Sequence, residues 1–358
     1  MKRLLPIMLA LALSTISPPM QIVPAMAATV SGEDYLAGAW LFYRSRFLTD
    51  DGRVVDNANG DVSHSEGQGF GMLLAVAADD RSDFNAMWKW TRDNLMIRDD
   101  GLAAWRWDPA SDPFVADENN ATDGDLLIAW ALLRAYKQWG DLDYFASSRA
   151  IASAIGAHAV EQYGDDTLLL PGASGFGSED REDGPIVNLS YWIFPAIYEL
   201  SVFAPEFPAD QLIATGLSLV DRAQFGDAHL PADWISLAGD TPVPAADFPP
   251  TFGYDAIRIP LYLAWYPPSG TDRLARFTSV WSHAEMPSVI NLASGEPTSQ
   301  MSDPGYRAII DLARCSTADA PHRDLAQNFD LTHYYPSTLD MLSLLAMVER
   351  YPRCLEAP

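Results

Sequence analysis

The chain has 358 residues, of which 48% are hydrophobic and 20% charged, a composition typical of a globular protein with a substantial core. Its formal net charge of −25 argues against nucleic acid and anionic membranes as partners, because phosphate binding needs an excess of Lys and Arg. The same charge also serves solubility through self-repulsion, so it does not by itself select a cationic polymer over a neutral one.

The first 27 residues have the features of an export signal. Lys2 and Arg3 form a short basic region, residues 4–13 are almost all apolar, and a small-x-small cleavage site ends at Ala27. This apolar run is too short to span a bilayer as a mature helix. We therefore predict a signal peptide over residues 1–27, cleavage after Ala27, no membrane insertion afterwards, and a mature protein that is secreted or periplasmic.

Helical periodicity recurs along the rest of the chain, residues 28–358. A capping signal at Ser31 precedes a helix that extends to Phe47. Ten further helices are predicted near residues 67–79, 82–96, 124–139, 143–163, 190–203, 209–224, 254–266, 270–284, 303–314 and 337–350. The best strand signal covers residues 167–170, and turns are predicted at Asp51-Gly52 and Asn59-Gly60.

The pattern favours an all-α fold of about twelve helices in a single domain, because no Pro- or Ser-rich linker divides the chain. A ring of helical hairpins would place alternate helix starts on one face. Periodicity alone does not separate such a barrel from an irregular bundle or a solenoid, although no short repeat supports the solenoid.

The first acidic segment begins at Glu66, which precedes three glycines at alternate positions, Gly67, Gly69 and Gly71. Each glycine costs a helix about 0.5–1 kcal/mol relative to alanine, so a compensating need is expected. Without Cβ atoms there, a sugar chain or a neighbouring helix could approach the backbone. Glu66 could equally well serve only to complement the helix dipole.

The second acidic segment holds Asp123 and Asp125 at the start of an apolar helix. Residues two apart on a helix point to roughly opposite faces, so at most one of them is expected in a pocket. The alternative is N-capping by Thr122 or Asp123, a common use of these residue types.

The third acidic segment places Asp255 three residues before Arg258, with Pro260 marking the first turns of an apolar helix. An arginine at that spacing would lower the pKa of Asp255 and keep it ionised, as a general base requires. A structural ion pair on a buried helix is the alternative.

Aromatic residues cluster in loops and at helix ends, where a ring with a polar tip can stack on a sugar and bond its hydroxyls. Most of the chain's Phe, Trp and Tyr residues must nevertheless form the core. The candidates for sugar contact are Trp105, Trp107, Tyr191, Trp192, Trp234, Tyr254, Tyr334 and Tyr335.

The two cysteines, Cys315 and Cys354, could form a disulfide that ties down the last helix or remain two reduced thiols. With so few cysteines and six histidines, a thiolate zinc site is not expected.

Together the acidic segments closely resemble glycoside hydrolase family 8, formerly cellulase family D. The matching residues are 65–72, 121–139, 188–195, 231–234 and 254–258, in the family's order. The resemblance implies an (α/α)6 barrel and hydrolysis of internal β-1,4 bonds of cellulose-like glucans with inversion. It implies Glu66 as general acid, Asp255 as general base, and Asp123 as the residue that binds and helps distort the sugar.

The same resemblance points to a β-1,4-glucan polysaccharide or cello-oligosaccharide as partner, with no cofactor and no catalytic metal. It is strongest toward exported endoglucanases that work beside a bacterial cellulose synthase complex. Alternatives are a chitosanase of the same fold and a non-catalytic glycan-binding protein. The residues expected to bind substrate are Trp105 (preferred over Trp107), Tyr191, Tyr254, Arg258, Tyr334 and Tyr335, although Pro336 departs from the polar residue expected after the tyrosine pair.

Overall fold

Helices supply most of the regular structure in the computed structural model, which describes residues 31–267, 271–281, 286–318, 329 and 331–355. The predicted signal peptide, residues 1–27, lies outside the described residues. Each predicted helix has a counterpart among the described residues: α1 Gly32–Phe47, α2 Ser65–Ala77, α3 Arg81–Asn94, α4 Thr122–Trp139, α5 Leu142–His158, α6 Phe194–Ser201, α7 Ala209–Arg222, α8 Arg258–Trp265, α9 Thr271–Val280, α10 Pro304–Ala318 and α11 Tyr334–Arg350.

One predicted helix is too long. Residues 160–163 were expected to continue α5, but they form a strand that pairs with the next strand along the chain. Gly164, with φ of +57°, allows the tight turn between the two strands, and the pairing buries Leu168 and Leu169. The predicted strand at 167–170 is present as Asp166–Leu169.

The helices form an inner ring and an outer layer. The inner helices α2, α4, α6, α8, α10 and α11 contact one another in that order, and α11 closes the ring on α2. The helices α1, α3, α5, α7 and α9 each pack outside this ring. Every residue of α8 is buried, whereas α3 buries only the face formed by five of its 14 residues. This difference follows from the all-round apolar sequence of the inner helices and the single apolar stripe of the outer ones.

Short antiparallel strands brace the loops that enter the inner helices. One precedes α2 directly, another precedes the 3-10 helix Leu189–Tyr191 and α6, and a third precedes α8. The strands are β1 Ser63–His64, β2 Arg106–Trp107, β3 Val160–Tyr163, β4 Asp166–Leu169, β5 Ile186–Val187, β6 Ile235–Ser236, β7 Val243–Pro244, β8 Thr251–Phe252, β9 Ser288–Asn291 and β10 Pro297–Gln300. They pair as β1-β2, β3-β4, β5-β6-β7 and β8-β9-β10.

A disulfide joins Cys315 of α10 to Cys354, which lies in the 3-10 helix Pro352–Leu355 just after α11. The two Cα atoms are 6.0 Å apart. Of the two alternatives left open by the sequence, the disulfide is therefore the one present, and it ties down the last helix as expected.

Candidate active site

The starts of the inner helices meet in one pocket. Residues at the start of α2, at the start of α4, in the 3-10 helix before α6 and at the start of α8 line it together, with Trp105 from the loop before β2. The expectation that alternate helix starts share a face is therefore confirmed. The lining residues are His64, Ser65, Glu66, Trp105, Ala121, Asp123, Tyr191, Asp255 and Arg258.

Arg258 is the central cation of this pocket, and its side chain is only 3% exposed. Its guanidinium contacts a carboxylate oxygen of Glu66, and its Nη2 lies 3.5 Å from Asp123 Oδ2 and 3.3 Å from Asp255 Oδ1. Nη2 also donates to Ser190 Oγ at 2.8 Å. One arginine thus contacts carboxylates from three separate segments. The i,i+3 spacing in the sequence had predicted only its pairing with Asp255.

The pKa of Asp255 is raised to about 7, mainly by burial and then by the negative charges of Asp233 and Asp123. A hydrogen bond from Asn188 Nδ2, 3.1 Å from Asp255 Oδ2, opposes the rise. The expectation that Asp255 has a lowered pKa is therefore wrong. The physical reason is that the guanidinium is shared among three carboxylates, so that its effect on Asp255 is smaller than that of the partial burial in the pocket and of the neighbouring negative charges.

Asp123 lines the pocket, whereas Asp125 points into the protein. Asp125 accepts hydrogen bonds from the backbone N–H of Ala103 at 2.8 Å and from Asn120 Nδ2 at 2.9 Å. Burial raises the pKa of Asp123 to about 7. The N-capping alternative is wrong, because Ala121 occupies the cap position of α4 and Thr122 donates instead to the carbonyl of Leu170.

The glycines of the first two segments serve helix packing. A Cβ on Gly69 would lie 2.5 Å from Leu127 Cβ of α4, and one on Gly124 would lie 2.1 Å from Ser65 Oγ of α2. The neighbouring helix, rather than a sugar chain, thus occupies the space beside these two glycines. Close contact between α2 and α4 brings Glu66 and Asp123 into one pocket.

Two of the predicted aromatic residues, Trp105 and Tyr191, line the pocket. Trp105 stacks on His64 with ring centroids 6.0 Å apart, and its Nε1 donates to Asp117 Oδ2 at 3.0 Å. Trp107 instead packs against Phe114, at a centroid distance of 4.7 Å, and so lies in a neighbouring hydrophobic cluster. The preference for Trp105 over Trp107 as a pocket residue agrees with this placement.

The remaining predicted tyrosines lie around the pocket to different extents. Tyr335 faces Arg258, with the guanidinium 5.9 Å from its ring centroid, and its hydroxyl donates to the carbonyl of Tyr254 at 2.6 Å. Tyr254 is 48% exposed. Tyr334 is 2% exposed and packs edge-on against Phe47 of α1, so the structure does not bring it to the pocket.

The helix that carries this tyrosine pair begins three residues earlier than predicted. Pro336 lies in the first turn of α11, which begins at Tyr334. Proline is tolerated there because the N–H groups of a first turn have no partner within the helix. The departure from the expected polar residue is thus accommodated without breaking the helix.

Sequence reasoning did not select several polar residues that hold the pocket. Asn188 and Ser190 bond Asp255 and Arg258, His64 lines the pocket, and Asp233 accepts backbone N–H groups beside Asp255. Three of these residues lie in segments that had been matched to the family. Asn188, Ser190 and Asp233 lie close in sequence to aromatic residues that were predicted to contact sugar. This proximity is the feature of the sequence that could have identified them as pocket residues.

Two further features bear on partners. Among the described residues, no group of three or more His, Cys, Asp or Glu is arranged to hold a metal ion. In the same part of the chain, no helix is both long and apolar enough to cross a membrane.

A pocket that brings several carboxyl groups together and is edged by aromatic rings is typical of enzymes that hydrolyse glycosidic bonds, since these use a pair of Asp or Glu side chains. The chain belongs to glycosyl hydrolases family 8, whose sequence profile matches residues 15–349. It is a glycoside hydrolase, and its fold is the (α/α)6 barrel of that family.

Three relatives illustrate the similarity. An endoglucanase of Cellulomonas uda is 40% identical over 76% of each chain. A probable endoglucanase of Novacetimonas hansenii is 37% identical over 88% of this chain and 92% of its own length. The crystal structure of an endo-beta-1,4-glucanase from an Achatina fulica gut metagenomic library is 40% identical and superposes with a TM-score of 0.79, covering 87% of this chain and 98% of that one.

Proposed function

We propose that the protein is an endo-β-1,4-glucanase that hydrolyses internal bonds of cellulose-like glucans with inversion at the anomeric carbon. The observation that carries this proposal is the meeting of Glu66, Asp123 and Asp255 around Arg258 in a pocket edged by Trp105. The names endoglucanase and endo-beta-1,4-glucanase of the relatives support the substrate class.

Asp255 acts as the general base that takes a proton from the attacking water. Its side chain is 33% exposed, so water can reach it, and Asn188 and Arg258 hold both carboxylate oxygens. Glu66, in its protonated form, acts as the general acid that donates a proton to the glycosidic oxygen as the bond to the leaving sugar breaks. Because the guanidinium contacts both carboxylates, it lies between acid and base, an arrangement that suits the roughly 6.5–9.5 Å carboxyl separation of inverting enzymes. That separation stays a prediction.

Asp123 binds the sugar at the cleavage point and helps distort it. Its Oδ1 accepts the N–H of Gly124 at 2.8 Å, which leaves Oδ2 toward Arg258 and the pocket. Trp105 and Tyr191 supply ring faces for stacking, and Tyr254, Tyr335 and Arg258 border the same space.

Proton NMR of the protein mixed with cellohexaose tests the reaction directly. New reducing ends should appear first as the α-anomer, because inversion of a β-linkage produces it. Early β-anomer would mean retention and would overturn the assignment of separate acid and base. Comparing turnover on soluble cellulose and chitosan distinguishes the glucanase from a chitosanase, and tight cello-oligosaccharide binding without cleavage would indicate a binding protein.

Substitution of the two catalytic carboxylates tests their roles. Glu66→Gln should leave the fold intact and lower kcat by a factor of about 10² or more, since general acid catalysis contributes about that much. Asp255→Asn should act similarly. Glu33→Gln, the same change in the first turn of α1, is the matched control. Near-normal turnover by Glu66→Gln would contradict the assignment.

We also propose that the protein is exported and acts beside a cellulose synthase complex. The basic and apolar pattern of residues 1–27 supports export, and so does the Cys315–Cys354 disulfide, since such bonds persist in oxidising compartments. N-terminal sequencing of the mature protein should begin at Ala28. Altered cellulose output after deletion of the gene would support the second part, and unchanged output would contradict it.

A further inference from the structure

The side chain of Asp233 packs directly against the backbone segment that carries Asp255. Its Oδ1 accepts the N–H of Gly253 at 2.9 Å and the N–H of Ala256 at 2.8 Å, the residues that flank the Tyr254-Asp255 pair. Its Oδ2 accepts from Thr251 Oγ1 at 3.2 Å. One side chain thus bonds the loop on both sides of the proposed general base.

The packing between Asp233 and this loop leaves no room for a side chain. A Cβ on Gly253 would lie 2.4 Å from Asp233 Oδ2. The backbone N–H of Asp233 also donates to the carbonyl of Thr251 at 2.8 Å, which joins β8 to the segment before β6. The position of Asp255 is therefore coupled to that of Asp233 through several direct contacts.

Each hydrogen-bond partner of the Asp233 carboxylate named above is a donor. Burial raises the pKa of Asp233, but the N–H groups of Ala256 and Gly253 and the Thr251 hydroxyl oppose the rise by stabilising the charged form. The carboxylate thus brings a negative charge to the pocket, and this charge is the largest electrostatic cause, after burial, of the raised pKa of Asp255.

Other charged and titratable groups also face Asp255 from the elements packed around it. They are Glu66 of α2, which acts through Arg258, Asp123 of α4, Tyr191 of the 3-10 helix, Arg258 of α8 and Tyr335 of α11. Asp233 differs from all of these because it also bonds the backbone on both sides of Asp255.

We propose that Asp233 is a positioning residue for the general base, which it serves both by fixing the loop around Asp255 and by placing a second negative charge beside it. This inference rests on the proposed role of Asp255. The two effects are separable, because an asparagine retains the oxygen that accepts both N–H groups but carries no charge.

The Asp233→Asn variant isolates the charge. Oδ1 continues to accept from Gly253 and Ala256, and the Thr251 hydroxyl can rotate to accept from the new amide. The acidic limb of kcat/KM on cellohexaose should then move down by about one pH unit, the size of effect that a nearby like charge exerts. Asp233→Ala removes the bonds as well, and kcat should fall by about 10- to 100-fold with KM little changed, because a misplaced catalytic group costs rate rather than binding.

Asp79→Asn is the matched control. Asp79 also accepts two side-chain hydrogen bonds, from Trp139 Nε1 at 2.8 Å and Gln138 Nε2 at 3.2 Å, but it lies just beyond the other end of α2. Its φ of +56° is compatible with asparagine. This variant should leave the acidic limb unchanged.

A second readout does not depend on activity. Carbon-13 NMR titration of aspartate carboxyls, with the Asp255 signal identified by its loss in Asp255→Asn, should show a lower midpoint for Asp255 in Asp233→Asn. An unmoved midpoint would overturn the inference. Absence of glucan cleavage by the unaltered protein would instead overturn the proposed function, so the two failures are distinguishable.

Discussion

Arg258 and Asp123 form a buried ion pair in the interior of the helical ring. Arg258 Nη2 lies 3.5 Å from Asp123 Oδ2, and the two side chains are 3% and 4% exposed. Removing both groups from water is costly, and such pairs often add little net stability. We interpret the pair as a functional arrangement, because the same guanidinium also contacts the proposed acid, Glu66, and the proposed base, Asp255.

The first prediction concerns the shape of that guanidinium. Arg258→Lys retains the positive charge, but a single ammonium cannot contact three carboxylates and Ser190 Oγ at once. We expect kcat/KM on cellohexaose to fall by about 10²-fold or more, the size of loss seen when a preorganised electrostatic contact is removed. Circular dichroism should show an unchanged fold.

A matched control lies farther along the inner helices. Arg134, near the end of α4, is 16% exposed and pairs with Glu199 at 2.7 Å and with Glu349, which links α4 to α6 and α11. Arg134→Lys should lower the denaturation midpoint and leave kcat within about twofold, since Arg134 is no part of the pocket. Equal losses of activity in both variants would mean that Arg258 has only a structural role.

The second prediction is a pH dependence. The base functions only when ionised, and burial and neighbouring charges raise the pKa of Asp255 to about 7. Ionisation of the base should therefore set the acidic limb of the pH profile, where kcat/KM falls tenfold per pH unit as pH drops through that pKa, and deprotonation of Glu66 should set the alkaline limb. A limb near the ordinary aspartate pKa of about 4 would contradict the electrostatic account of the pocket.

The helices and the main site segments were predictable from sequence for a physical reason. Long apolar periodicity specifies a helix regardless of its partners, and α2, α4 and α8 each begin at or near an acidic residue that marks the end of the buried run. Once alternate helices form a ring, their starts must meet. Glu66, Asp123 and Asp255 could therefore be placed in one pocket before any coordinates were known.

Other features depend on contacts distant in sequence and could not be predicted in this way. The spacing of Asp255 and Arg258 indicates a local pair, but the contact of Arg258 with Glu66 exists only because the ring brings α8 next to α2. Strand β3 forms instead of helix because β4 is available to pair with it. The burial of Tyr334 follows from its packing on Phe47 across α1 and α11.

The third prediction concerns Asn188, whose amide nitrogen donates a hydrogen bond to Asp255 Oδ2. Its amide oxygen accepts two hydrogen bonds from Ser190, one from the backbone N–H at 3.0 Å and one from Oγ at 2.7 Å. These bonds orient its amide. Because a hydrogen bond to the charged form lowers a pKa, Asn188→Ala should move the acidic limb to higher pH, opposite to the shift expected for Asp233→Asn. Asn94→Ala, at the end of α3, is the control for which no shift is expected. A downward shift for Asn188→Ala would rule out this hydrogen bond as a stabiliser of the base.

The fourth prediction distinguishes the two tryptophans. Trp105→Ala should raise KM for cellohexaose about tenfold with a smaller change in kcat, since loss of an aromatic stacking contact costs roughly 0.5–1.5 kcal/mol beyond its buried area. Trp107→Ala should leave KM near its original value and lower stability, because Trp107 packs on Phe114 and Trp90 and lies under Arg53. The reverse result, with KM raised only by Trp107→Ala, would place the stacking residue outside the pocket described above.

The fifth prediction separates stability from catalysis. Cys315 and Cys354 are 39 residues apart, and closing a loop of that length stabilises a protein by about 2–4 kcal/mol through the entropy of the unfolded chain. The double variant Cys315→Ser/Cys354→Ser should lose about that much free energy of unfolding in urea titrations, and reduction of the unaltered protein should produce a similar loss. Activity at low denaturant should persist, because Cys354 follows the end of α11 that is farthest from Tyr335 and the pocket. A large loss of kcat in the folded double variant would mean that the disulfide also maintains the pocket, through the packing of α10 and α11 on α8.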